Sequence, residues 1–342
     1  MRAPLIDQLN AELAEWRAAG LERALREIDS PQGRRIVVDG RELLNFSSND
    51  YLALANDQLL VRAAQTALTR YGVGAGASRL VCGNLTPYRE LEERLAQFKN
   101  AEAALVFGSG YAANVGVITA LVGKGDTVLL DKLNHASLID GARQSGATIR
   151  VYPHGHTGKL ARLLATATGR ILIVTETVFS MDGDLAPLRE IVELKQRHGA
   201  WLMIDEAHAT GLYGHHRRGL AEPLGVADQI DITVGTLSKA FGCVGGYVTG
   251  SRVLVDYLRH RARSLIYSTA LPPAIVAAAA AAVEFVMSDA GHQRREQLWR
   301  NVSELKQGLA AQGVPNESRS AILPVILGDE TAAVERAHRL QE

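Results

Sequence analysis

Cysteine is scarce in this 342-residue chain: Cys82 and Cys243 are the only two. Neither has a Cys or His neighbour at metal-ligand spacing, which excludes a thiolate metal centre and leaves the expectation of a reduced, cytoplasmic protein with no resident metal. An excess of one charge is also missing, because 37 Lys plus Arg balance 37 Asp plus Glu. Without clustered positive charge to displace counterions, no nucleic-acid partner is expected. Long apolar runs are absent too. The longest, Ala274 to Val283, is closed by Glu284 and falls short of the ~18 residues that a spanning helix requires, so no membrane partner is expected. The amino terminus carries Arg2, Pro4 and Asp7 where a signal segment would be apolar. Low-complexity tracts and repeats of roughly 20 to 50 residues are lacking as well.

What is present is a regular alternation. Short apolar runs at Ala104–Phe107, Thr127–Asp131, Thr148–Tyr152, Ile171–Glu176, Ala200–Asp205, Asp231–Gly235 and Val244–Thr249 read as strands. Runs such as LIVTE and WLMID are apolar at consecutive positions, as suits strands covered on both faces. Helical stretches fall between them at Tyr111–Val122, Ala136–Ser145, Gly158–Ala167 and Pro187–His198. Strands alternating with helices predict an α/β fold with a mainly parallel, doubly wound sheet. The ends differ: a helix is expected over Pro4–Glu27, a strand near Arg35–Asn45, helices over Pro273–Ala311, a strand at Ala321–Leu327 and a helix from Thr331. The predicted domains are 1–50, joining a small α+β domain; 51–272, the large domain; and 273–342, the rest of the small one.

Candidate chemistry clusters after the strands. VFGSGYAAN follows one strand and opens a helix, so backbone N–H groups there can approach an anion such as phosphate. Gly108, Gly110 and Ala113 also fit a loose dinucleotide fingerprint with Asp131 as the ribose acid, which keeps a nicotinamide enzyme open at this point. Gly72, Gly74 and Gly76 read as a loop between helices. GTLSKAFG is the sharpest signal: Lys239 sits just past an apolar strand among small and hydroxyl residues. A free lysine is neutral in only roughly one molecule in two thousand at pH 7, so a nucleophilic or basic lysine needs desolvation or a covalent role. Asp205 ends WLMID, where a carboxylate is costly unless it meets a cation, and His208 follows in the same DEAHATG run. Glu176, Ser180 and Asp182 follow another strand, and His135 lies in LNHASL between a strand and a helix. In an open α/β sheet these strand ends share one ligand-binding edge. His154, His156, His215 and His216 lie among loop residues and are read as facing solvent.

LNHASL, SMDGD, DEAHATG and GTLSKAFG, in this order and spacing, resemble the α-oxoamine synthases, a pyridoxal-phosphate (PLP) group with the aspartate-aminotransferase-like fold. The resemblance covers essentially the whole chain. NFSSNDYLAL is similar to the group's amino-terminal signature, and SLIYSTALPP to a segment that crosses to a partner subunit. AHATG, SMDGD and YSTALPP are nearest to the biotin-pathway branch; the glycine C-acetyltransferase and 5-aminolevulinate synthase types stand as alternatives.

The resemblance implies a large domain with a seven-stranded, mainly parallel sheet, and a homodimer with its active site at the subunit interface. It implies that Lys239 links to the cofactor and later moves the α-proton, that Asp205 faces the pyridinium nitrogen, and that His135 stacks on the ring. Ser180 and His208 would face the phenolate oxygen. Gly110 and Tyr111 backbone groups, Thr236, Ser238 and the partner's Thr269 would hold the phosphate. Asn49 would lie near substrate, and Arg23 would meet the distal carboxylate of the acyl chain. The implied reaction is a decarboxylative condensation of L-alanine with a pimeloyl thioester of CoA or a carrier protein. The family pattern continues several tens of residues past Glu342, into a carboxylate-binding arginine, so no residue here takes that role and the small domain is expected to be incomplete. Cys243 is expected to be a buried thiol without a catalytic part.

Overall fold

The computed structural model describes residues 4–341, so Arg2 and Glu342 lie outside the described residues. Contacts between residues divide the chain into two units, 48–324 and the paired termini 1–47 with 325–342.

Within the terminal unit, α1 (Leu5–Ala18) is followed by the strands β1 (Arg35–Val38) and β2 (Arg41–Leu44). The continuous strand expected near Arg35–Asn45 is therefore a hairpin. Asp39 and Gly40 take positive φ, 51° and 73°, the pair of left-handed residues that a tight two-residue turn needs. The helix expected over Pro4–Glu27 ends at Ala18, two residues before Gly20 at φ 68°.

Unit 48–324 opens with α2 (Gln58–Tyr71) and α3 (Thr86–Lys99), joined through the glycine loop and a π-turn at Arg79–Gly83. Then come β3 (Ala103–Phe107), α4 (Gly110–Leu121), β4 (Thr127–Asp131), α5 (Ala136–Ser145), β5 (Thr148–Tyr152) and α6 (Thr157–Leu164). The alternation continues through β6 (Ile171–Glu176), α7 (Leu188–His198), β7 (Trp201–Asp205), β8 (Ile232–Thr236) and β9 (Gly246–Gly250). Four helices complete the order: α8 (Arg252–Arg261), α9 (Arg263–Ile266), α10 (Pro273–Met287) and α11 (Asp289–Ala311). A last helix, α12 (Glu330–Arg339), belongs to the terminal unit.

The seven expected strands form one sheet, ordered β3-β9-β8-β7-β6-β4-β5. Only β9 runs against its neighbours. Side chains alternate between faces along each strand. Val128, Leu130, Leu172, Val174 and Met203 pack under α4, α5 and α8, while Leu129, Ile173, Leu202 and Ile204 pack under α6 and α7. Both faces of the inner strands are covered, so these are mostly apolar, while the edge strand β5 is more exposed and carries Arg150.

Two expectations about the C-terminal third change. Helices α10 and α11 group with 48–324, where the sequence pattern placed them in the small domain. The alanine-rich α10 is buried along most of its length among α2 and α3, and on α11 Trp299 donates its indole N–H to the Leu212 carbonyl at 3.3 Å. No strand forms at 321–327. The Ile322 N–H is taken by Ser320 Oγ at 3.1 Å, and Pro324 has no N–H to offer a ladder. Among the described residues no single helix is long and apolar enough to cross a membrane; α10 and α11 pass such a test only as a pair bent by 77°.

Candidate active site

The carboxyl ends of the parallel strands bring most of the expected residues together. Asp205 closes β7 and is 6% exposed. Its Oδ1 accepts the Ala207 N–H and its Oδ2 accepts the side-chain N–H of Asn114 on α4, both at 2.8 Å. These two donors orient the carboxylate, one on each oxygen. Lys239 follows β8 in a turn closed by the Gly242 N–H on the Lys239 carbonyl at 2.8 Å. Gly242 has φ 64°, and a Cβ there would lie 2.4 Å from the Ala55 nitrogen, so the turn requires glycine. Burial pushes the Lys239 amine below the ordinary lysine range, while Asp205 and Glu176 pull it back up.

The candidate phosphate donors lie at the start of α4 and just after β8. Ser109 caps α4 by accepting the Ala112 N–H at 3.0 Å, leaving the Gly110 and Tyr111 end of the helix as an anion site. Thr236 and Ser238 place hydroxyls 2.7 Å apart. A Cβ on Gly110 would press on Thr236 at 3.4 Å, and one on Gly246 would strike the Ser109 carbonyl at 2.4 Å. The Tyr111 side chain is turned away, its hydroxyl donating to Asp140 Oδ2 at 2.7 Å, so only its backbone serves the anion site.

His135 caps α5 and its N–H donates to Glu176 Oε1 at 2.6 Å. His208 is buried, with Nδ1 2.7 Å from the Tyr51 hydroxyl; burial first, then Lys239, pushes it down to about 3, which keeps it uncharged. Tyr51 also lies 3.4 Å from Asn49 Oδ1, tying that candidate to His208. Ser180 is half-buried in the loop after β6. Thr269 stands apart: it bridges to Ser78 in the glycine loop and is exposed. Arg23 is exposed within the terminal unit.

Three features escaped the sequence reading. Asn114 is a buried polar residue in the apolar run of α4, and that mismatch was its signal. Tyr51 had none. His154 was read as solvent-facing, but Nδ1 lies 2.9 Å from Asp131 and Nε2 2.7 Å from Asp184, with the ring edge-on to Phe179 at 4.4 Å. Burial alone would lower its proton affinity, yet the two carboxylates raise it above the ordinary value. Asp131 is spent in this arrangement, since Oδ1 also accepts the Leu133 N–H and Oδ2 the Gly155 N–H, each at 2.9 Å. It therefore offers no free carboxylate to a ribose. Cys243 is partly buried, and burial with nearby Asp50 pushes its thiol up to about 12, so it is unreactive as a thiolate.

Glu176 gives a prediction. Burial, then the Asp205 charge, raise it from 4.5 to about 8. Between those values the folded chain holds a proton that the unfolded chain releases, so this group's share of stability is complete below 4.5 and lost as pH rises toward about 8. Glu176→Gln is expected to flatten the decline of the thermal midpoint over that window in chain stripped of cofactor; a decline of wild-type size in the variant would refute the assignment.

The donor set fits PLP. A buried carboxylate suits a ring cation, an amine suits a carbonyl, and a glycine-lined helix end with two hydroxyls suits a phosphate. Among the described residues no three His, Cys, Asp or Glu side chains are grouped to hold a metal. Comparison with known proteins agrees. The family model of aminotransferase class I and II matches residues 41–342. The chain is 49% identical over 333 residues to the 8-amino-7-oxononanoate synthase of Geotalea daltonii, covering 96% of this chain and 85% of that one. It is 51% identical over 327 residues to the 8-amino-7-oxononanoate synthase of Geobacter metallireducens, covering 94% and 84%. A serine palmitoyltransferase from S. paucimobilis, solved with bound PLP–myriocin aldimine, superposes with a TM-score of 0.93 at 32% identity, over 99% of this chain and 90% of that one.

Proposed function

The chain belongs to the class I and II aminotransferase family, among the PLP-dependent 8-amino-7-oxononanoate synthases, and we propose that it condenses L-alanine with a pimeloyl thioester of CoA or a carrier protein for biotin synthesis. A carbon–carbon bond forms between the alanine α-carbon and the thioester carbonyl, the thiol leaves, the alanine carboxyl departs as CO2, and a proton returns to the α-carbon. The observation that carries this reading is the gathering of Lys239, Asp205, His135, His208 and the phosphate cradle at one sheet edge.

When bound, PLP supplies a ring that withdraws electrons from the amino acid's α-carbon. The chain supplies orientation and proton handling. Lys239 would anchor the cofactor and, with its proton affinity lowered by burial, take and return the α-proton. Asp205, oriented by Asn114 and the Ala207 N–H, would face the ring nitrogen and keep it protonated. His135 would lie against the ring face. The uncharged His208, oriented by Tyr51, and Ser180 would meet the phenolate oxygen. Gly110, Tyr111, Thr236 and Ser238 would hold the phosphate, with Asn49 beside the substrate and Arg23 on the acyl chain's distal carboxylate.

The reading includes a homodimer in which Thr269 reaches the phosphate of the other subunit. In support, the Ser78–Thr269 bridge has exposed apolar residues close by in sequence on both segments, Val81 at 77% and Tyr267 at 72%, the kind of residue that an interface covers. A cytoplasmic setting accords with two unpaired cysteines.

Thiol release, followed with each pairing of L-alanine, glycine and L-serine with pimeloyl and shorter acyl thioesters, tests the proposal. L-Alanine with pimeloyl thioester is expected to give the highest kcat/KM, with one CO2 per thiol. A higher value for glycine or serine would assign the chain to another α-oxoamine synthase.

A further inference from the structure

Two of the site residues are joined by a buried run of hydrogen bonds that can run in only one direction. Asn114 on α4 is 2% exposed and Ser137 on α5 0%. Asn114 Nδ2 lies 2.8 Å from Asp205 Oδ2 and 2.9 Å from Ser137 Oγ. Ser137 Oγ in turn lies 2.7 Å from His135 Nδ1, and the Ser137 backbone N–H donates to the same ring nitrogen at 3.2 Å.

The direction follows from what each group can do. An ionised carboxylate only accepts, so Asp205 fixes the Asn114 amide with its NH2 inward. Turned over, the amide oxygen would face a carboxylate oxygen. The second amide hydrogen goes to Ser137 Oγ. Having accepted there, the Ser137 hydroxyl directs its own hydrogen at His135 Nδ1. The hydroxyl contact is the shorter of the two, 2.7 against 3.2 Å for the backbone N–H, so it sets Nδ1 as the acceptor and the ring proton sits on Nε2, with the weaker backbone contact pointing the same way. The arrangement leaves Asn114 Oδ1 buried without a protein partner, a cost that the two Nδ2 bonds must outweigh.

We propose that Asn114 and Ser137 are positioning residues through which the Asp205 carboxylate fixes the tautomer of His135. One buried charge then sets both the group facing the cofactor's ring nitrogen and the group on its face. This rests on the proposed role of the site, but the direction of the bonds belongs to the chain alone.

Histidine-selective 15N NMR of the holoenzyme reads the tautomer directly, with the His135 signals identified by their absence from His135→Asn. Wild type is expected to carry the proton on Nε2. In Asn114→Asp the run should reverse. A carboxyl at 114, sharing a proton with Asp205, accepts the Ser137 O–H, whose oxygen then accepts an N–H from Nδ1. The kcat should fall by ~10–100-fold, the size of loss known when the partner orienting a metal-bound imidazole is changed. Asn114→Leu, which keeps volume but no polar atoms, should give a mixture of tautomers. A proton on Nδ1 in the wild-type holoenzyme, or one retained on Nε2 in loaded Asn114→Asp, overturns the proposal. The wild-type spectrum decides even if a variant fails to fold. Wild type that shows no visible band with PLP would instead overturn the reading of the site, and its NMR signals would still report the tautomer.

Discussion

Lys239→Ala is expected to remain folded, to bind PLP without the visible band of a lysine-linked cofactor, and to lose about 10⁴-fold in kcat, the upper range for a positioned proton carrier. The size follows from two tasks falling on one amine, anchoring the cofactor and moving the α-proton. Lys239→Arg is expected to be as inactive, because a guanidinium keeps its proton at any usable pH. An alternative explanation, loss of a buried cation that merely balances Asp205 and Glu176, predicts rescue by arginine. Stopped-flow and steady-state rates separate the two: activity within tenfold of wild type in either variant would remove Lys239 from the mechanism.

The second large effect is on stability. Lys99 and Glu206 form an ion pair 2.6 Å apart with both side chains 3% exposed. Burial lowers the proton affinity of Lys99, but Glu206, with Tyr247, more than offsets it. The same ammonium donates to Thr210 Oγ1 at 3.1 Å and to the Arg218 carbonyl, and Glu206 Oε1 accepts the Ala221 N–H at 3.1 Å. The pair thus pins residues 206–221, which include His208, against the end of α3. Lys99→Met leaves a carboxylate buried and unpaired and is expected to cost about 3–5 kcal/mol. Lys99→Met with Glu206→Leu should recover much of that loss, since an apolar replacement has no charge to solvate. Denaturant titration reads both; a single variant within about 1 kcal/mol of wild type would mean that water reaches the pair.

The sheet was legible because most of its strands are covered on both faces and so read as apolar runs, as Thr127–Asp131 and Ile171–Glu176 do; the edge strand Thr148–Tyr152, more exposed and interrupted by Arg150, was marked by its place in the alternation. The site was legible for a related reason. Polar residues such as Asp205 and Lys239 stand out directly after such runs. What the pattern could not carry was partnership. His154 looked like a loop histidine because Asp131 and Asp184 approach it from distant parts of the chain. Asn114 lay inside a helix, where spacing says nothing about which loop its amide meets. Where α10 packs was hidden for the same reason: it is apolar on nearly all sides, and nothing local tells that its contacts group it with 48–324.

The placement of β9 between β3 and β8 bears on how the chain is made. β3 is apolar and buried at all five positions, yet its sheet partner begins at Gly246, after the 138 residues that follow Phe107. At about 5–20 residues per second of synthesis, β3 waits ~7–30 s for that partner. Throughout that interval a ribosome-bound chain presents an unpaired hydrophobic edge, so its yield in the cell should depend on chaperone capacity during translation more than on the strength of the finished sheet.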